Sequence, residues 1–439
     1  MYKIGLYERE ITPLFGNSIW GYFNLRLVDG VKDKTYAKAV VIEKGENIVA
    51  FVAVDACAVN DELITIVRER VNKYTGIKQE NITVSATHSH TAGPCVKDEE
   101  GADLKLDALY LDWLANAVAD TVVCAYQRME NMNIKLSVAN VEGISFVRNY
   151  LLKNGVVRTN PGVGNPDIVK PFGTKDDDAP VLLFENEQGE KVGLMYSFAL
   201  HQDSVDGTEV SGDWSSVVAR KMKEKFGMDF ISIFFYGTAG NINQVDVNSK
   251  APDYNMYDYK RYGKVVFDAI IKSLDIAVKV DGDISVISNV KIYNSRVPNE
   301  KEIKEQEDIF NSVILPEGCK LDACSPKSFF DACMAKRALK HTFSVTAYYQ
   351  VKFTVVKIGK VIIFSLPGEV FSQFGERIKK AFPENVCLFA CLANNKWTYM
   401  PAKECYLPEL YESLYGSALF YPEDTEDIFN HFIDLAKKL

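Results

Sequence analysis

Histidine is scarce in this chain, with five in 439 residues. Positive charge is also in deficit: 50 lysines and arginines face 59 acids, for a formal net charge of −9. That balance argues against nucleic acid as a partner, because phosphate backbones are bound by clustered Lys and Arg. No run of 18 or more apolar residues is present, so no membrane insertion is expected. The opening stretch "MYKIGLYEREITPLFG" lacks the basic start and apolar segment of a secretory signal, which gives the expectation of a cytoplasmic protein. The nine cysteines contain no C-x-x-C pair. The tightest group is Cys319, Cys324 and Cys333, and the expectation is free, mostly buried thiols in a reducing compartment rather than a cysteine-rich zinc site.

Hydrophobic residues make up 47% of the chain and charged ones 25%, the composition of a globular protein with a sizeable core. Hydrophobic periodicity then shows one pattern three times. In residues 36–56, "YAKAVVIEKGENIVAFVAVDA" reads as two strands turning at Gly45. The helix "DELITIVRERVNKYTGI" follows, stopping at Gly76, and then the strand "NITVSAT". The same order of hairpin, helix and strand recurs at 180–243, turning at Gly189, and at 346–401, turning at Gly359. The fold class is therefore α/β, with mixed sheets flanked by helices and built from three recurring β-hairpin–helix–strand units. Between the units, 97–135 contains an amphipathic helix, 150–178 reads as loop ending in a solvated "KDDD", and 298–341 reads as a peripheral helical insertion.

A strand–helix–strand crossover makes the last two strands of each unit parallel, and ligand sites gather beyond the carboxyl ends of parallel strands. The ends before the helices carry Asp55, His201 and Glu369. The ends after them carry His88 with His90, Asn241 with Asn243, and Asn394 to Tyr399. On an extended strand, residues two apart face the same way, so His88 and His90 both reach toward one ion. Alone they read as well as two hydrogen-bonded loop histidines. His201 and Glu369 at matching ends favour a metal site, because histidine nitrogen and carboxylate oxygen together build many hydrolytic zinc centres. Spacing gives no reason to single out Tyr399 among 22 tyrosines.

Seven stretches in order, "EITPLFG…WGYF" (10–23), "GVKDKTYAKAVVI" (30–42), "ATHSHTAGP" (86–94), "MYSFALHQDS" (195–204), "GTAGNIN" (237–243), "LPGEV" (366–370) and "TYMPAKECYLPELYE" (398–412), resemble the catalytic domain of the neutral, non-lysosomal ceramidases, including their bacterial relatives. The resemblance implies a single ceramidase-like catalytic domain over 1–439; the helical insertion at about 298–341 and the lack of a C-terminal immunoglobulin-like domain are expected as departures from the family. It implies one Zn²⁺ per chain on His88, His201, Glu369 and Tyr399. It also implies that His90, Arg148 and Tyr411 serve the substrate. The family carries a serine nucleophile where this chain has Asn243, so an ester intermediate is excluded at that position. Asn243 is left either as a hydrogen-bond donor to the reacting oxygen or as a turn-stabilising residue after Gly240.

The resulting expectation is a zinc-dependent hydrolase that cleaves an amide-type C–N bond by a metal-activated water, with His90 as proton carrier. Its substrate is expected to be small and polar rather than ceramide. Hydrolysis of an ester, a lactone or a cyclic sugar derivative is an alternative, as is a non-catalytic binding protein on the same scaffold. Two oxygen donors in the ligand set leave Mn²⁺ or Fe²⁺ open beside zinc.

Overall fold

Both faces of the central strands are apolar, and that decides the layering. In Tyr36–Lys44, Val40 and Ile42 point to one side of the sheet and Ala39 and Val41 to the other, and all four are buried. A strand buried on both faces needs cover on both. The structure, a computed structural model, describes residues 1–22, 24–97, 101–250, 255–312, 326–344, 347–395 and 398–439. It meets the requirement with helices, a large sheet, a small sheet and helices again. Among the described residues the helices are α1 (Asp61–Thr75), α2 (Leu104–Gln127), α3 (Asp213–Phe226), α4 (Tyr259–Leu274), α5 (Glu300–Ser312), α6 (Pro326–Ser344), α7 (Ser372–Ala381) and α8 (Pro422–Ala436).

The large sheet runs Ile231–Tyr236, Lys191–Phe198, Asp178–Asn186, Glu130–Asn140, Tyr2–Glu10, Tyr36–Lys44, Asn47–Val54, Ile82–Ala86, with Val278–Lys279 also paired to Glu130–Asn140. The first and second units thus occupy its two opposite ends. The third unit forms most of the small sheet, ordered Ile284–Asn294, Tyr348–Ile358, Val361–Ser365, Val386–Ala390. One core joins the sheets, gathering Val40, Phe51 and Phe184 of the large one with Val356, Ile363 and Leu388 of the small one. The other core takes in the helix-facing side, including Val41, Val67 and Val118.

The last two strands of each unit are parallel, ending at the pairs Val54–Ala86, Phe198–Tyr236 and Ser365–Ala390. Their carboxyl ends are then stitched together. The Cys391 amide donates to the Tyr236 carbonyl (2.8 Å) and the Asn394 amide to that of Val84 (3.0 Å). The three ends therefore open on one place. Local signals behave as their chemistry requires: the Asn60 side chain caps α1 at the Leu63 amide, and Gly76 ends it in the left-handed region at φ 76°.

Four expectations change. Residues 150–178 are not simply loop: Asn149–Leu152, Val157–Thr159 and Ile168–Pro171 form a three-stranded sheet, with Gly155 (φ 81°) in the turn between the first two. The acidic run is not merely solvated, since Lys379 at the end of α7 pairs with Asp176 (2.6 Å) and Asp178 (3.1 Å). Helix α2 is long and apolar enough to cross a membrane, the only such helix among the described residues, but Leu111, Leu114, Val118 and Val122 bury one face of it in the core. The insertion is helical in α5 and α6 but not peripheral, because α6 lines the main cavity. Its stretch 313–325, with Cys319 and Cys324, lies outside the described residues, as do Phe23, Lys396 and Trp397. Cys333 and the six other described cysteines form no disulfide with one another, and five of the seven are buried.

Helix α8 is held to α7 by Phe429 stacked on Phe374, ring centroids 3.7 Å apart. Phe429→Ala is expected to lower stability by about 3–5 kcal/mol, read as a fall in the urea midpoint.

Candidate metal centre

Each unit leaves its sheet through a constrained piece of backbone, and those constraints aim the site. The first unit's last strand stops at Ala86, and His88 adopts φ 68°, a left-handed conformation that costs a non-glycine residue about 1–2 kcal/mol. The His-x-His pair is therefore not on extended strand, and the same-face argument does not apply to it. The rings meet all the same, 4.7 Å apart and edge to face. In the third unit, Gly368 has φ 63°, and a Cβ there would fall 2.1 Å from the Thr398 carbonyl oxygen. That close approach lets Glu369 pair in parallel register with Tyr399.

His88, His201 and Glu369 converge, all three buried. Nε2 of His88 and Nε2 of His201 lie 3.3 and 3.2 Å from the same oxygen, Oε2 of Glu369. Nδ1 of His88 is 2.8 Å from the Cys57 carbonyl, which only accepts, so Nδ1 donates there and Nε2 is the nitrogen that faces Glu369. Nδ1 of His201 faces the Tyr236 hydroxyl at 3.0 Å, and the Trp214 indole N–H donates to its carbonyl. Burial pushes the His201 pKa down to about 4, against the pull of Glu369. Burial alone would raise the Glu369 pKa, but His88 and His201 outweigh it and hold the carboxyl well below its ordinary range. A carboxylate oxygen and two imidazole Nε2 atoms converging on one point are a donor set that fits a divalent cation, with the second nitrogens anchored as ligating histidines require.

Arg148 ties Tyr399 to this group. Its Nη1 lies 3.4 Å from His201 Nε2, and its Nη2 donates to the Tyr399 hydroxyl (3.3 Å) and the Gly240 carbonyl (2.6 Å). Its Nε donates to Glu412 Oε1 at 3.0 Å, inside the protein. Burial opposes the guanidinium charge, but Tyr411, Tyr399, Glu412 and Glu369 override it and raise the pKa. The Tyr411 and Tyr399 hydroxyls are 3.3 Å apart. Burial, then Glu369, raises the Tyr399 pKa, so the phenol is protonated unless a cation draws the proton off.

His90 lies on the open side, Nε2 3.3 Å from His88 Nε2 and Nδ1 3.9 Å from Asp203 Oδ1. Burial first, then His88 and His201, push its pKa well below that of an ordinary imidazole, so it does not titrate near neutrality as a solvated histidine would. Asn243 is held in a turn, its Oδ1 accepting from the Val245 amide (3.0 Å) and its Nδ2 donating to Asn160 Oδ1 (2.8 Å), while it still borders the cavity. The site thus brings together the eight residues assigned to metal or substrate, whereas Asp55 and Asn241, also at strand ends, do not border the cavity.

Sequence reasoning missed Asp203, Tyr236 and Glu412. Asp203 receives the Tyr22 hydroxyl and has its pKa raised to about 7, first by burial. It stands two residues past His201 in the motif already quoted, and Glu412 directly follows Tyr411. Tyr236 ends its strand. The cavity over the centre measures about 530 Å³. No serine or threonine borders it among the described residues. Ser211, Ser215 and Ser216 are committed elsewhere, to Asp33 and to the carbonyls of Gly212 and Asp213.

A family model described as neutral/alkaline non-lysosomal ceramidase, N-terminal, matches residues 2–244. The chain belongs to this family. Neutral ceramidase 2 of Arabidopsis thaliana is 26% identical over 240 residues, a match covering 51% of this chain and 30% of that protein. The chain thus spans about 30% of the length of this curated relative. The crystal structure of neutral ceramidase from Pseudomonas aeruginosa superposes with a TM-score of 0.73 at 18% identity, over 99% of this chain and 74% of that one. A ceramidase complexed with C2 gives 0.72 at 17%, with the same coverage. The ceramidase fold therefore extends past the family match and over Glu369 and Tyr399.

Arg148→Met is expected to destabilise the chain by about 3–5 kcal/mol, because it leaves Glu412 buried without its counter-charge. Glu412→Gln added to it is expected to recover part of that loss, which a denaturation double-mutant cycle measures.

Proposed function

We propose that this chain is a zinc-dependent hydrolase that cleaves an amide-type C–N bond in a small polar molecule, with one ion held by His88, His201, Glu369 and Tyr399. The observation that carries the proposal is the approach of two imidazole Nε2 atoms to one buried carboxylate oxygen. The relatives' name, neutral ceramidase, supports the amide bond. When bound, the ion supplies a Lewis acid that polarises a carbonyl and acidifies water.

The protein's own groups divide the remaining work. Arg148, fixed by Glu412 and the Gly240 carbonyl, holds the Tyr399 hydroxyl toward His201. Tyr411 stands beside Tyr399 as a donor for charge developing on the substrate oxygen. His90, kept neutral by burial, accepts a hydrogen bond from the substrate side, and Asp203 lies behind it. With asparagine at 243 and no serine or threonine bordering the cavity among the described residues, water is the nucleophile we assign. The Cys57 thiol is no substitute, since burial, then Cys95 and Glu369, raise its pKa well above the ordinary value. A cytoplasmic location and a small-molecule substrate complete the proposal.

Elemental analysis of wild type, His88→Ala and Glu369→Gln tests it. The expected result is about one zinc per wild-type chain, lost in both variants together with amide turnover. Wild type without metal, even after zinc reconstitution, overturns the proposal. Tyr236→Phe, which removes the hydroxyl beside His201 Nδ1, is expected to weaken zinc affinity by roughly 10–100-fold in a chelator competition.

A further inference from the structure

His90 is the site histidine whose ring is not held by hydrogen bonds of its own. Its Nδ1 is buried with no hydrogen-bond partner among the described residues, and Asp203 Oδ1 stays 3.9 Å away. Its Nε2 faces Nε2 of His88, an atom committed to the metal centre. The backbone gives little more. His90 lies beyond the end of its strand at Ala86, past the left-handed His88, and its amide donates to the Gln202 carbonyl at 3.0 Å. An imidazole placed this way keeps its position only if something outside the loop grips it.

Arg26 supplies the grip. Its guanidinium is buried, with Nη2 donating to the His90 carbonyl (2.6 Å) and Nη1 to the Gly207 carbonyl (3.0 Å). Its flat face lies over the Tyr22 ring, 3.8 Å from the centroid. Tyr22 in turn donates its hydroxyl to Asp203 and stands 5.7 Å from the His90 ring. Gly21 closes the remaining side: at φ 123° it passes so near the imidazole that a Cβ would fall 3.0 Å from Nδ1. The group is fastened to the core. Arg26 pairs with Ile19, and the preceding Ser18 binds buried Asp107 of α2 through its amide (3.0 Å) and hydroxyl (2.6 Å). Arg26 does not itself border the cavity, and among the described residues no carboxylate stands within ion-pair distance of it. A buried cation met by carbonyls and a ring rather than by an acid is a poor way to gain stability.

We propose that Arg26 is a positioning residue for His90. By holding the His90 carbonyl and backing the Tyr22 ring, it keeps the imidazole on the open side of the metal centre with Nε2 turned inward. It acts only through His90. Arginine suits the task because one planar fork serves two carbonyls while its face stacks on a ring, which the point charge of a lysine does not do. The inference rests on the proposed hydrolase reading, because it takes His90 as a working group of that centre. A reacting group held about 1 Å out of place loses on the order of 100-fold in rate, and that sets the scale of the effect.

The scarcity of histidine makes the ring itself observable. With five in the chain, NMR of isotopically labelled ring nitrogens gives few signals, and those of His90 are assigned by their loss in His90→Gln. Arg26→Met keeps the reach of the side chain and removes its donors. At fixed pH it is expected to shift the His90 signals or broaden them beyond detection, while the signals of His88 and His201, the zinc content and the circular dichroism stay as in wild type. Arg26→Lys is expected to move them in the same direction by less, and it decides alone if Arg26→Met does not fold. On an amide that the wild type turns over, Arg26→Met is expected to lower kcat by about 10–100-fold, with KM changed by less than about threefold. His90 signals unmoved in the folded variants, all five histidines displaced alike, or an unchanged kcat overturns the inference. Zinc content of the same samples separates the two proposals. Full zinc with His90 unmoved defeats only this inference, and a displaced His90 ring in a chain that cannot be loaded with zinc defeats only the hydrolase reading.

Discussion

Glu369 sits where three segments of the chain meet, and the rest of the site is arranged around its carboxylate. Moving a charged carboxyl out of water costs several kcal/mol unless something compensates it. Here the compensation is two imidazole nitrogens within 3.3 Å, and one comes from each of the other two units. The Arg148–Glu412 pair repeats the arrangement one layer out: another buried charge, matched by a partner 264 residues away. Neither pair forms unless the units dock in one register.

Topology makes that docking possible. Parallel strands joined by a helix place both carboxyl ends on the same side, and three such units placed side by side bring all their ends together. The two units of the large sheet lie at its opposite edges, and the third brings its last strand and the turn beyond it across the gap between them. The ligand-bearing residues then need only local devices. Left-handed backbone at His88 and a glycine at 368 that admits the Thr398 carbonyl are the two that aim the side chains.

Much of this was legible in the sequence, and the parts that were not share a physical reason. Apolar runs broken by polar turns at the glycines 45, 189 and 359 mark the three hairpins, and from them the strand ends carrying His88, His201 and Glu369 follow. Tyr399 and Arg148 came from the family resemblance, because neither sits in a pattern that local chemistry singles out. Glu412 and Tyr236 escaped notice, since a buried partner is defined by what lies across the fold and leaves no periodic trace. The place of α6 was misjudged for a related reason. Residues 298–341 read as peripheral, and only the burial of Ala335 and Ala338 and the cavity beside Cys333 show that the helix is packed against the site. The family match ends at residue 244, before Glu369 and α6, so the second half of the site speaks only through the fold.

His88, His201, Glu369 and Tyr399 are spread over more than three hundred residues of chain. During synthesis from the N-terminus, both histidines leave the ribosome long before the carboxylate that joins them. A nascent chain can fold much of the large sheet while its central acid and tyrosine do not yet exist. The polar cluster is thus among the last features to assemble, and a chain cut short between residues 201 and 369 carries both imidazoles without the carboxylate that joins them. Completion of the centre is in that sense a record that translation reached the final strand.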